Sequence, residues 1–189
     1  MTSPDAVHER AMPLRIAEHA DVPALEALIK RSGIELSVGY YTPEQAAAVT
    51  HHVFGVDSQL IDDGTYFAIE HLGQIVACGG WSKRRTLFGG DQAKSGPDPL
   101  LDAGSEPARI RAFFVHPSMA RRGLGRMLME ACIAASTHAG FTALELAATL
   151  PGVPLYLAFG FVAVEHFDLP LPGGIAVPLV RMRLQLAAV

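Results

Sequence analysis

The stretch of this sequence best equipped for chemistry is Phe113-Phe114-Val115-His116-Pro117-Ser118-Met119-Ala120-Arg121-Arg122-Gly123-Leu124-Gly125-Arg126. It joins a hydrophobic strand to a helix through a basic, glycine-containing turn. The first backbone N–H groups of a helix lack intrahelical partners, and the helix dipole adds roughly half a positive charge there. Such a junction takes an anion. Gly123 and Gly125 present no Cβ to keep a linked diphosphate off the backbone. Arg121, Arg122 and Arg126 offer charge-assisted hydrogen bonds to phosphate oxygens. A glycine-tolerant turn with solvated arginines would explain Gly-x-Gly alone. Strand, Pro, Arg-Arg and helix in that order favour the anion site. The Lys-Ser/Thr that completes a P-loop is missing.

The segment resembles the acetyl-CoA signature of the GNAT superfamily, in which a strand ending in a Val-x-Pro-like sequence leads into Gln/Arg-x-x-Gly-x-Gly/Ala. Ala120 stands at the Gln/Arg position, a departure that removes a side-chain contact and leaves the backbone cradle intact. Downstream of Leu144-Glu145-Leu146, the run Leu155-Tyr156-Leu157-Ala158-Phe159-Gly160-Phe161 is similar to the family's Phe/Leu-Tyr-x-x-x-Gly-Phe segment. The resemblance implies an α/β (α+β) fold, with a mixed, largely antiparallel sheet of about six to seven strands flanked by helices. It implies that strands four and five splay apart and that the pantetheine arm of acetyl-CoA enters between them, lined by Phe113, Phe114 and Val115. A backbone N–H near Val115 would polarise the thioester carbonyl, as an oxyanion hole does. Tyr156 matches the tyrosine that protonates the departing thiolate, a task suited to a phenol of pKa about 10.

The activity so implied is single-step transfer of an acetyl group to a primary amine of a small molecule or peptide, with acetyl-CoA as co-substrate and no metal. An acetyl-CoA-binding sensor and an acyltransferase using a longer acyl-CoA are the alternatives. An amine of pKa about 10 must lose a proton before it attacks. Some family members use a glutamate early in strand four; the matching residue here is Arg109, which is no base. Glu106, Glu35, Glu145 and a water chain stay open for that task. Candidate acceptor-side residues are Glu35, Tyr40, Tyr41, Trp81 and Arg109. Lys83, Arg84 and Arg85 beside Trp81 would suit a carboxylate-bearing acceptor, and equally suit an ordinary solvated surface.

The elements that must hold these residues are readable in outline. Leu14–Ala17 reads as a strand. Asp21 then caps a helix carrying Pro23, Leu25, Leu28 and Ile29, expected to end near Gly33. Thr42-Pro43-Glu44-Gln45 restarts helix through a capping box. Tyr66–His71 and Gln74–Trp81 form a hairpin about Leu72-Gly73. Residues 82–107 make a long connection rich in Gly, Pro, Asp and Ser, either a functional flap or a variable insertion. Ile110–Val115 is strand, ended by Pro117. Gly123–Ala139 is helix with an apolar stripe of Leu124, Leu128, Ala131 and Ala135. Ala143–Ala147 is strand, Pro154–Phe159 a short helix, and Phe161–Asp168 and Val177–Leu186 the last strands.

The 189 residues suit one domain spanning 1–189, with residues 1–11 flexible. Half the chain is hydrophobic, enough for a sizeable core. A net charge of −4 gives no global reason to bind nucleic acid. No signal-like or membrane-spanning run stands out, so a cytoplasmic protein is expected. Cys78 and Cys132 form neither a disulfide framework nor a CxxC site, and adjacent His51 and His52 diverge on a helix, so no metal is expected. A homodimer is compatible with these features.

Overall fold

The structure is a computed structural model that describes residues 12–187; the expected flexible segment, residues 1–11, lies outside the described residues. Among the described residues seven strands run β1 (Leu14–Ile16), β2 (Tyr66–His71), β3 (Gln74–Ser82), β4 (Ala108–Val115), β5 (Ala143–Thr149), β6 (Val162–Leu171) and β7 (Ile175–Gln185). They form one sheet in the order β1-β2-β3-β4-β5-β7-β6. Every neighbouring pair is antiparallel except β4 and β5. Helices α1 (Val22–Glu35), α2 (Pro43–His52) and α3 (Ser58–Asp62) precede β2, while α4 (Leu124–His138) and α5 (Val153–Ala158) flank β5.

Two layers of side chains fix this arrangement. On one face α4 sets Met129 and Cys132 against Leu144, Leu146, Val180 and Met182. On the other α1 packs Leu25, Leu28 and Ile29 onto Tyr66, Ala68 and Cys78. The capping box at α2 forms as expected, with Thr42 Oγ1 accepting from Gln45 N–H at 3.2 Å and Gln45 Oε1 from Thr42 N–H at 3.1 Å. The hairpin turn places Leu72 and Gly73 at positive φ, 50° and 74°.

Two sequence expectations are corrected. Helix α1 does not end at Gly33 but continues to Glu35. A Cβ on Gly33 would lie 2.7 Å from Thr50 Oγ1 and 2.8 Å from the Phe54 ring, so this glycine serves a close helix crossing rather than a stop. Asp21 precedes α1 but makes no side-chain cap. Its carboxylate is held by Arg15 at 2.7 and 2.8 Å and accepts the Glu18 N–H. The Arg15 hydrogen bonds hold its pKa below the usual carboxylate value.

The 82–107 connection is pinned along its length. Arg84 pairs with Asp63 at 2.7 Å, and the Gly90 N–H donates to Val53 O at 2.8 Å. Lys94 and Arg111 share the fully buried Asp57 carboxylate, Arg111 at 2.9 Å. Arg111 also donates to Gly89 O. Residues 87–90 are thereby drawn against the α1–α2 side of the sheet.

Candidate functional site

Strands β4 and β5 pair at two positions only, Ala108 with Leu144 and Arg109 with Glu145. Beyond these the sheet opens. A cavity of about 770 Å³ runs through the opening, lined on one side by the start of α4 and on the other by α1 and α2. That volume lies in the range of ligand sites, about 300–1,000 Å³.

Within the opening β4 carries a bulge. Gly80 faces Arg111 and Cys78 faces Phe114, so Ala112 and Phe113 together oppose Gly79. Ala112 takes a left-handed φ of 55°. The Phe113 ring lies on Gly79, where any Cβ would come within 2.6 Å of it. A bulge re-aims the side chains that follow it. Phe113 joins the core beneath α4, while Phe114 stacks edge-on against Phe54, centroids 5.2 Å apart. The Val115 N–H meets no strand; it donates to the Ser32 hydroxyl at 3.3 Å.

Past Val115, Pro117–Met119 forms a 3-10 turn, and Arg121 and Gly123 both adopt left-handed backbone, φ 63° and 86°. Gly123 is the N-cap of α4, and the Met127 N–H donates to Gly123 O at 3.0 Å. The amides of Leu124, Gly125 and Arg126 therefore precede the first helical hydrogen bond and are free for an anion. Each glycine has its own reason. Gly123 supplies the backbone angle, and Gly125 makes room for Leu155, whose Cδ2 would lie 3.0 Å from a Cβ there. Arg126 lies 5.3 Å above the Phe159 ring and 3.8 Å from Glu130.

Of the residues expected on the cofactor side, Phe113, Phe114, Val115, Arg121, Gly123, Leu124, Gly125 and Arg126 line the cavity. Arg122 is exposed and does not. Tyr156 also lines the cavity, its ring 6.4 Å from Phe113 and 5.8 Å from Phe161 by centroid. Burial pushes its phenol above the ordinary range, with a smaller push from Cys132. The group stays protonated at neutral pH. An acyl-CoA fits what is present: free amides and arginines for linked phosphates, and an unpaired strand edge for an extended amide-bearing arm.

Acceptor-side expectations divide. Tyr40 lines the cavity. Tyr41 is buried, its hydroxyl donating to Pro178 O at 2.8 Å and accepting the Leu150 N–H at 2.9 Å. Trp81 is turned by the strand pleat to the α4 face, where it packs on Phe141. Arg109 sits where β4 and β5 are still paired and contacts Glu145 at 3.3 Å. Glu35 faces out and pairs with Arg31 at 2.7 Å; Glu106 pairs with Arg85 at 3.0 Å. None of these except Tyr40 reaches the cavity. The chamber is built instead from residues sequence reasoning passed over: Ser32, Leu36, Val49, Val53, Phe54 and Phe88, with Leu179. They come from four separate stretches, and only Gly33, read as a helix stop, hinted at a close crossing there.

Among the described residues no group of three or more His, Cys, Asp and Glu could hold a metal ion, and no helix is long and apolar enough to cross a membrane. Residues 34–161 match the Acetyltransferase (GNAT) family. Curated proteins give no match. Solved structures share the fold. A GCN5-related N-acetyltransferase structure from Rhodopseudomonas palustris superposes with TM-score 0.67 at 18% identity, covering 94% of this chain and 98% of that chain. YncA of Salmonella typhimurium, with its cofactor acetyl-CoA, gives 0.63 at 16% identity over 95% and 96%. The ribosomal-protein-S18-alanine N-acetyltransferase of Escherichia coli gives 0.58 at 17% identity over 95% and 96%.

Proposed function

The chain belongs to the GNAT acetyltransferase family, and from that premise we propose that it moves the acetyl group of acetyl-CoA to a primary amine by direct attack, with Tyr156 as the acid. The observation that carries the reading is a single cavity that joins the basic, glycine-containing turn to a chamber across the sheet, through the gap between β4 and β5. A cofactor on one side and an acceptor on the other meet only in such a gap.

In this reading the amides of Leu124 to Arg126, with Arg121 and Arg126, hold the diphosphate. Phe113 and Val115 offer the strand edge to the pantetheine arm. The Val115 N–H, which the Ser32 hydroxyl now occupies, turns to the thioester carbonyl and stabilises charge on its oxygen. The amine lone pair forms the C–N bond as the C–S bond breaks. Tyr156 gives its proton to the sulfur, and the proton lost by the nitrogen restores the phenol through solvent. Cys132 is buried in α4 with its thiol pushed above the ordinary range, unsuited to carry an acyl group.

Thiol release from acetyl-CoA, measured across a panel of amines, peptides and amino acids, tests the proposal. Acceptor-dependent release, lost in Tyr156→Phe, is expected. Tight acetyl-CoA binding without release for any acceptor would identify a sensor instead.

A further inference from the structure

Among the described residues, those lining the acceptor half of the cavity include no acid and no base. Its walls are Leu36, Val49, Val53, Phe54, Phe88 and Leu179. Its polar side chains are hydroxyls, two of them engaged: Ser32 accepts from Val115 N–H, and Ser37 donates to Gly33 O at 2.5 Å. Among the described residues, the charged ones lining the whole cavity are Arg111, Arg121 and Arg126. Arg111 is answered by the carboxylates of Asp57 and Asp98, and Lys94, which shares Asp57, by Asp91, so the cluster presents no net positive charge to the chamber. Nearby carboxylates are committed elsewhere, Asp63 to Arg84, Glu106 to Arg85 and Glu145 to Arg109.

Resting on the transfer reading above, we infer that the acceptor is an apolar amine that enters uncharged, such as an arylalkyl amine, and that the enzyme discriminates against polyamines and lysine-like acceptors. An ammonium group in an apolar chamber loses its hydration and finds no carboxylate to replace it. Arginines toward the cofactor side repel it further. An amine of pKa about 10.4 is only about four parts in ten thousand neutral near pH 7, and bulk water removes that proton before entry. No enzyme base is then needed, in keeping with a chamber whose described lining offers none; Arg109, at the strand-four position where some family members carry a glutamate, lies outside the cavity. A second amine on the acceptor must either shed its proton too, which lowers the reactive fraction by about a further thousandfold near pH 7, or be buried charged while the first nitrogen reacts.

Phenethylamine and putrescine, of similar length and amine basicity, separate the cases. The full chain with acetyl-CoA is expected to show kcat/KM at least about tenfold higher for phenethylamine. Log kcat/KM should rise with unit slope between about pH 6 and about pH 9, following the amine, without an enzyme inflection near the histidine range. Tyr40→Glu, at a half-exposed position on the rim, should narrow or reverse the preference; Leu36→Glu, deeper in, should do the same. Calorimetric binding of both amines to the CoA-saturated protein gives the ranking without turnover. Phenethylamine ranked first with no thiol released would sink the transfer reading and keep the chamber assignment. Putrescine bound or acetylated as well as phenethylamine overturns the assignment.

Discussion

The two ends of the cavity are built on different principles. The cofactor end is backbone: a left-handed residue at Gly123, the unpaired amides that follow it, and the free edge of β4. Its parts lie within one stretch of chain, from Phe113 to Arg126. The acceptor end is side chains gathered from α1, the α2 exit, residues 87–90 and β7. A backbone cradle constrains a short sequence through glycines and element boundaries, so it reads as a motif. A side-chain chamber constrains only shape and polarity, and residues far apart in sequence satisfy it together.

That difference can be broken experimentally, because substitutions at one end should leave the other end's binding constant alone. The largest effect is expected at the seam. Tyr156→Phe should lower kcat by about 10²–10⁴-fold with acetyl-CoA affinity nearly unchanged; an unaltered kcat removes Tyr156 from the chemistry. Next comes the ion cluster behind the acceptor wall. Arg111→Met leaves the buried Asp57 short of a partner and should cost about 3–5 kcal/mol of stability by denaturant titration. The double variant with Asp57→Asn should recover part of the loss, and no loss at all would show the pair to be solvated.

Smaller effects sharpen the contrast. Phe54→Ala removes an aromatic wall and should raise acceptor KM by about tenfold while the acetyl-CoA Kd stays put. Arg121→Ala with Arg126→Ala should do the opposite, weakening CoA binding by about three- to tenfold and reducing its salt dependence. Equal effects of both variants on both ligands would dissolve the distinction. The smallest effect lies outside the cavity, at the Asp21–Arg15 pair. Its folded pKa is depressed, so its stabilisation is present above about pH 4 and is lost as pH falls through the folded value. Asp21→Asn should cost no more than about 2–4 °C in Tm at pH 7, and the cost should vanish in acid.

How far the sequence could be read follows the same division. Thr42 and Gln45 specify their capping box with neighbours alone, and the Leu72-Gly73 turn does so for its hairpin, so both were legible. Trp81 and Tyr41 look like a binding mouth in sequence, yet the strand pleat turns one into the α4 core and two hydrogen bonds tie the other to β7 and the end of β5. Gly33 reads as a stop because nothing local reveals Thr50 and Phe54 pressing on it. The roles of Asp57 and Arg111 depend on a chain reversal across 82–107 that no periodicity announces.

A structure of the protein grown with CoA is the most direct measurement. The expected result is a diphosphate on the amides of Leu124 to Arg126 and an arm extending along Phe113 to Val115, with the Ser32 hydroxyl released from the Val115 N–H. CoA bound elsewhere, or β4 and β5 closed over the gap with Val115 still paired to Ser32, would contradict it.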